Sequence, residues 1–263
     1  MTDWLETCRA IVEDLRGALA DLPTRAEREP VVGVGEGGDE TTAIDAAAEN
    51  AIVRRLESLE EDVTIVSEEL GERGDAETHV VVDPIDGSVN AKRGIPFFSV
   101  SVAVAAGATM KDVHFGFVYD FGSGEEWTAE RGSGVVLNGQ RLDPPRPKEP
   151  IEILSFEATV TERIADHVEA FRPVAERMRV MGSLALSLCH LAAGRVDGVC
   201  SLKAIRAVDI AAAQLFVREA GLAIDLPDAP PFAEAPLDTQ GRSRVVAGAT
   251  SDVCARLYWA LGT

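Results

Sequence analysis

The sequence predicts a chain in two halves, an α+β half followed by an α/β half, and three observations carry that reading. Helical patterns and then consecutive strand patterns fill residues 4–142, whereas strand and helix patterns alternate from residue 151 onward. Between them lies Pro144-Pro-Arg-Pro-Lys-Glu-Pro150, with four prolines in seven residues, which places the boundary at 147 and gives halves 1–147 and 148–263. At 263 residues and 46% hydrophobic composition, the chain can bury a full core.

Trp4, Leu5, Cys8, Ile11, Val12, Leu15 and Leu19 recur at helical spacing with Pro23 just beyond, which predicts the first helix. Residues 32–41, Val-Gly-Val-Gly-Glu-Gly-Gly-Asp-Glu-Thr, form a flexible glycine-rich segment that is no Walker A loop, because no Lys-Ser/Thr follows the glycines. A second helix is predicted over 42–59, a short strand over 63–66 and a buried, β-branched strand over 79–82. Residues 98–105, 113–119, 126–129 and 134–142 read as successive strands, and Asn138-Gly139 is a hairpin signal. Beyond the prolines the pattern gives strand 151–156, helix 161–176, strand 179–181, helix 184–193, strand 196–200, helix 209–220, strands 222–225 and 244–247, and helix 251–261. Such alternation implies a sheet with helices on both faces. No internal repeat is evident.

Formal net charge is −19, well beyond the magnitude of about 2 to 8 usual for a small soluble domain. Only Lys92, Lys111, Lys148 and Lys203 are lysines; the other basic residues are Arg. Abundant carboxylates with scarce lysine resemble cytosolic proteins of salt-accumulating organisms, in which concentrated cations screen self-repulsion. An acidic protein tuned only for solubility reads the same way. Nucleic-acid and anionic-membrane partners are disfavoured by this charge. Cys8, Cys189, Cys200 and Cys254 are scattered through apolar patterns without metal-ligand spacing, as reduced core thiols would be. No run of about 18 apolar residues and no leader pattern is present, so a soluble cytoplasmic protein is expected.

The chemistry concentrates at Val81-Val-Asp-Pro-Ile-Asp-Gly-Ser-Val-Asn90. A buried strand delivers Asp83 and Asp86 through a stiff proline turn, from which both carboxylates converge on one cation, with the Ile85 carbonyl as a third oxygen ligand. Gly87 and Ser88 then offer backbone N–H groups to an anion. Three more carboxylate blocks end elements elsewhere: Thr42-Ala-Ile-Asp45, Ser67-Glu-Glu-Leu-Gly71 and Val208-Asp-Ile-Ala-Ala-Ala213. Taken singly, Asp45 and Asp209 read as helix caps, and Glu68 and Glu69 as solvated surface. The Asp83 and Asp86 pair has few structural uses.

In this order the four blocks resemble the inositol monophosphatase family, including archaeal members that also hydrolyse fructose 1,6-bisphosphate, over residues 32 to about 259. The resemblance implies the layered α-β-α-β-α sandwich of the sugar phosphatase superfamily, with the site between the halves. It implies that Glu68, Asp83 and the Ile85 carbonyl hold a first metal, that Asp83 bridges to a second held by Asp86 and Asp209, and that Glu68 with waters helps hold a third. Asp45 and Ser88 would orient and deprotonate the attacking water, and the Gly87 and Ser88 amides would grip the phosphate. The glycine-rich segment would be the family's mobile loop, with its usual lysine missing. Hard oxygen ligands suggest Mg2+, with Mn2+ as a substitute.

Substrate identity is less legible. Gly182-Ser183-Leu184 resembles the family's segment that touches substrate hydroxyls, although it reads equally as a helix start. No carboxylate stands where inositol-specific relatives carry one before the second-metal Asp. Lys203 and Arg206 suit a second phosphate instead, or surface and dimer contacts. A small phosphorylated polyol or sugar is the implied partner and a homodimer the implied assembly. Strict inositol monophosphatase, 3'-phosphoadenosine 5'-phosphate phosphatase, and a non-catalytic interaction protein of the same fold are the alternatives.

Overall fold

The amphipathic stripe at the N-terminus folds as α1 (Trp4–Asp21), whose first turn is capped by the Asp3 carboxylate accepting from the Glu6 N–H at 3.1 Å. The structure is a computed structural model that describes residues 2–36, 38, 40–157 and 160–262. A single turn, α2 (Arg25–Arg28), leads into an antiparallel ribbon of β1 (Val31–Val34) and β2 (Glu40–Thr42). The glycine-rich segment is paired backbone on either side of its turn; Gly37 and Asp39 lie outside the described residues. Thr42 and Asp45 form a capping box that starts α3 (Ala43–Glu57).

Eight strands form a mixed sheet: β3 (Thr64–Ser67), β4 (Gly71–Arg73), β5 (Thr78–Asp86), β6 (Ser99–Ala106), β7 (Val113–Asp120), β8 (Glu126–Glu130), β9 (Gly134–Leu137) and β10 (Gln140–Arg141). Their spatial order is β10-β9-β8-β7-β6-β5-β3-β4, antiparallel except where β3 runs parallel to β5. A short helix, α4 (Ser88–Arg93), follows β5 directly. Asn138 and Gly139 turn β9 into β10 with φ of 49° and 76°, the left-handed pair such a hairpin needs.

The second sheet has β11 (Ile151–Glu157), β12 (Ala175–Arg179), β13 (Gly198–Ser201), β14 (Ala223–Asp225) and β15 (Val246–Gly248) in the order β12-β11-β13-β15-β14. Its helices are α5 (Thr161–Phe171), α6 (Leu184–Ala192), α7 (Ala213–Glu219) and α8 (Ser251–Leu261). Five layers result: α1 with α3, the eight-stranded sheet, α6 with α7, the five-stranded sheet, then α5 with α8. Val80 and Val82 point to the α1 and α3 side while Val81 points to the α6 and α7 side, so β5 is buried on both faces and reads as an unbroken apolar run. The central helix layer shares one apolar core with both sheets: Val118 and Trp127 from one, Leu188 and Phe216 from the helices, Val199 and Ala247 from the other.

Three sequence expectations shift. The helix predicted over 161–176 stops at Phe171, because Pro173 has no N–H for the next turn, and the chain resumes as β12 some four residues before the strand predicted at 179–181. The helix predicted over 209–220 begins only at Ala213; residues 207–211 form a tight turn in which the Ala211 N–H donates to the Ala207 carbonyl at 2.8 Å. The strand predicted to end at Val82 continues to Asp86. Asp83 pairs with Ser101 and Asp86 with Ser99, so three steps on β5 face two on β6, and Pro84, which cannot donate to a ladder, falls inside that bulge.

Candidate active site and metal centre

The bulge, rather than a turn beyond the strand, aims the carboxylates. Asp83 is 2% and Asp86 8% exposed. Asp83 Oδ1 accepts from the Ile85 N–H at 3.0 Å, which locks its rotamer. Since β3 runs parallel to β5 with Ser67 opposite Val82, Glu68 leaves its strand beside Asp83. Asp209 arrives from the turn ahead of α7, where its Oδ2 accepts from the Arg206 N–H at 2.7 Å. Glu68, Asp83 and Asp209 each bring a carboxylate oxygen into one cluster, all within 4.8 Å of one another.

Such crowding is electrostatically unfavourable without a cation. Burial first, and then Glu68, Asp86 and Asp209, hold the Asp83 carboxyl well above the usual range. Burial and then Asp209 push Glu68 up to about 7, against the pull of Arg206. Asp209 is raised by burial, with the Arg206 N–H and the Arg206, Lys203 and Arg242 cations opposing. Three mutually repelling oxygen donors, Asp83 buried and Glu68 and Asp209 half-buried, are the set that a hard divalent cation satisfies.

Asp86 stands slightly apart. Its Oδ2 accepts from the Ser183 hydroxyl at 2.5 Å and the Ala185 N–H at 2.7 Å, and its Oδ1 lies 3.3 Å from the Leu184 N–H. The carboxylate is thus seated on the first turn of α6. Burial nonetheless pushes it up to about 7, the Ser183 hydrogen bond opposing.

The other expected residues divide. Asp45 accepts from the Thr42 N–H at 3.1 Å and the Thr42 hydroxyl at 2.5 Å, so it caps α3 while its charge raises Glu68. The Ser88 hydroxyl donates to the Ile85 carbonyl at 3.2 Å, joining two expected site groups, and Gly87 takes φ of 95° where α4 opens. Gly182 and Ser183 are engaged within the protein: the Gly182 N–H donates to Glu157 at 2.9 Å and the buried Ser183 hydroxyl donates to Asp86. Lys203 is exposed, whereas the Arg206 side chain is buried and pairs with Glu68 at 2.5 Å, so the two cations do not form one open anion site. Glu69, placed with the solvated surface, is instead hydrogen-bonded by the Thr41 hydroxyl beneath the ribbon.

Sequence reasoning missed Asn90, Glu157, Ser187 and Arg242. Glu157 carried a readable signal, being a carboxylate at the end of a buried strand as Asp83 is; Asn90 carried none, since its partner Met181 lies 91 positions away.

A five-layer α-β-α-β-α sandwich with a carboxylate cluster at the strand ends, able to hold a metal ion, is the architecture that the ordered carboxylate blocks implied. Comparison narrows it: residues 4–258 match the family model described as the inositol monophosphatase family, and the chain belongs to that family. A fructose-1,6-bisphosphatase/inositol-1-monophosphatase of Archaeoglobus fulgidus is 35% identical over 93% of each chain. The Nus factor SuhB of Pasteurella multocida is 35% identical over 70% of each. A crystal structure of an inositol monophosphatase–fructose 1,6-bisphosphatase superposes with a TM-score of 0.86 at 29% identity, covering 98% of this chain and 100% of that one.

Proposed function

We propose that this protein is a Mg2+-dependent phosphate-monoester hydrolase that acts on inositol monophosphate and fructose 1,6-bisphosphate. The convergence of Glu68, Asp83 and Asp209 within 4.8 Å carries this reading. A phosphate monoester dianion repels hydroxide, and Mg2+ when bound supplies charge neutralisation and lowers the pKa of water. The chain's part is placement. Glu68, Asp83, the Ile85 carbonyl, Asp86 and Asp209 would hold the cations, and Mn2+ fits the same donors. Asp45 and Ser88 orient the attacking water, and the amides of Gly87 and Ser88 receive the phosphate. All site carboxylates are thereby engaged, so no phosphoenzyme forms.

The exposed cations Lys203 and Arg242 near Asp209, with no carboxylate among residues 200–206, favour a substrate with a second anionic group; Arg206 is already paired with Glu68. SuhB relatives make an interaction role the second reading, and a catalytic role is favoured because a scaffold gains nothing from crowding three carboxylates together. Release of phosphate from inositol 1-phosphate, fructose 1,6-bisphosphate, glycerol 2-phosphate and 3'-phosphoadenosine 5'-phosphate, with Mg2+ and with chelator, tests the proposal. Metal-dependent turnover of the first two, with little on the last, is the expected result. Equal rates in chelator would remove the metal mechanism, and no turnover of any ester would leave the interaction role.

A further inference from the structure

Behind the carboxylate cluster, one peptide group is gripped at both ends. The carbonyl of Met181 accepts from Asn90 Nδ2 at 2.8 Å, and the N–H of Gly182, in the same peptide plane, donates to Glu157 Oε2 at 2.9 Å. Asn90 stands on α4, directly after the bulged strand, and is itself fixed because Nδ2 also donates to the Phe97 carbonyl at 2.8 Å. Glu157 ends β11 in the other sheet. The gripped peptide immediately precedes Ser183, which caps α6 and, with the Ala185 N–H, holds Asp86.

We infer that Asn90 and Glu157 are positioning residues that clamp the Met181–Gly182 peptide and, through Ser183 and the first turn of α6, set the carboxylate of Asp86 for cation binding. The inference rests on the functional reading above. Its physical basis is that Glu157 is an expensive way to hold a peptide for packing alone. The side chain is 8% exposed and makes no ion pair among the described residues, so its charge is compensated only by hydrogen bonds. Those include the Gly182 N–H, the Ser187 hydroxyl at 2.7 Å and the Ser155 hydroxyl at 3.0 Å, with the Met181 N–H also acting on the carboxylate. An ionised carboxylate is acceptor-only, so it fixes the direction of every donor around it.

Gly182 has φ of 86°, and a Cβ there would meet Asn90 Nδ2 at 3.1 Å, so the grip requires both the left-handed backbone and the missing side chain. A peptide held from one side only is free to rotate about its flanking dihedrals. Held from both, it carries the Ser183 hydroxyl to one place. Groups that orient a metal-binding carboxylate typically change metal affinity by about 10- to 100-fold when removed.

Mg2+ binding measured by titration calorimetry, alongside kcat and KM, tests the clamp. Glu157→Ala should weaken Mg2+ binding by about tenfold or more, and Glu157→Gln should recover most of it, because the amide oxygen still accepts from Gly182. Ser183→Ala should weaken binding as Glu157→Ala does, and the double variant should be no worse than the poorer single one, since both act along one path. Hydrogen exchange over residues 181–186 in metal-free protein should quicken in Glu157→Ala. Lower melting temperature with unchanged Mg2+ affinity in both Glu157 variants, or additive losses in the double variant, would overturn the inference alone. A wild-type protein that binds no Mg2+ would overturn both it and the functional reading.

Discussion

At Asp83 burial and like charge act in the same direction, and the consequence is a pH dependence with a definite sign. An ordinary carboxylate in the unfolded chain ionises near pH 4. In the folded protein Glu68 and Asp86 are pushed up to about 7 and Asp83 is raised well above its usual range. Groups raised in the folded state contribute stability that is complete below the unfolded value and is lost as pH rises through the folded one. With chelator present, and in enough KCl to screen the surface, melting temperature should fall between about pH 4 and about pH 7. Saturating Mg2+ should remove that slope. Asp83→Asn should raise the metal-free melting temperature at neutral pH by roughly 2–8 °C while abolishing turnover. A metal-free melt that stays flat or rises over that pH range would show that the cluster is not strained.

The elements contribute geometry that single residues cannot. The bulge in β5 advances Asp86 relative to β6, and Gly87 is the N-cap from which α4 follows directly. A Cβ on Gly87 would lie 3.1 Å from both the Gly182 and the Phe97 carbonyl oxygens, in a backbone with φ of 95°. Gly94 ends the same helix with φ of 72° but opens to space. The two positions therefore separate strain from crowding. Gly94→Ala should cost about 1 kcal/mol of stability with kcat unchanged. Gly87→Ala should cost about 2–4 kcal/mol and lower kcat as well, because either Gly182 or α4 must shift. Equal losses of stability and equal kcat in the two variants, read from denaturant melts and steady-state rates, would contradict this.

For the whole molecule the dominant quantity is the net charge of −19. Many of its ion pairs are exposed, as Arg9 with Glu6 and Arg172 with Glu169, and such pairs contribute little against the general repulsion. Folding should therefore strengthen as KCl approaches molar concentration, where the Debye length falls to about 3 Å. The partly buried cluster is screened less, so Mg2+ binding should survive, and an anionic substrate should meet the protein faster. Melting temperature and turnover at saturating Mg2+ should both rise along a KCl series. A melting temperature indifferent to KCl, with a rate falling steadily from dilute buffer, would leave acidity as a matter of solubility. No helix among the described residues is long and apolar enough to cross a membrane.

Sequence alone determined what depends on local order. The β5 core run, the amphipathic α1, the Asn138-Gly139 hairpin and the alternation after residue 150 were legible because periodicity and turn chemistry are properties of neighbouring residues. The ordered carboxylate blocks were legible as a family pattern. Tertiary structure alone decided which of those groups share a site and what else they touch. Parallel pairing of β3 with β5 brought Glu68 to Asp83, and the bulge replaced the expected turn, because register is set between strands rather than along one. Arg206 joined Glu68 across 138 positions, and Ser183 reached Asp86 across 97. Asn90 and Glu157 met on one peptide for the same reason: a hydrogen bond depends on distance and direction in space, and no spacing in the chain encodes a partner on another layer.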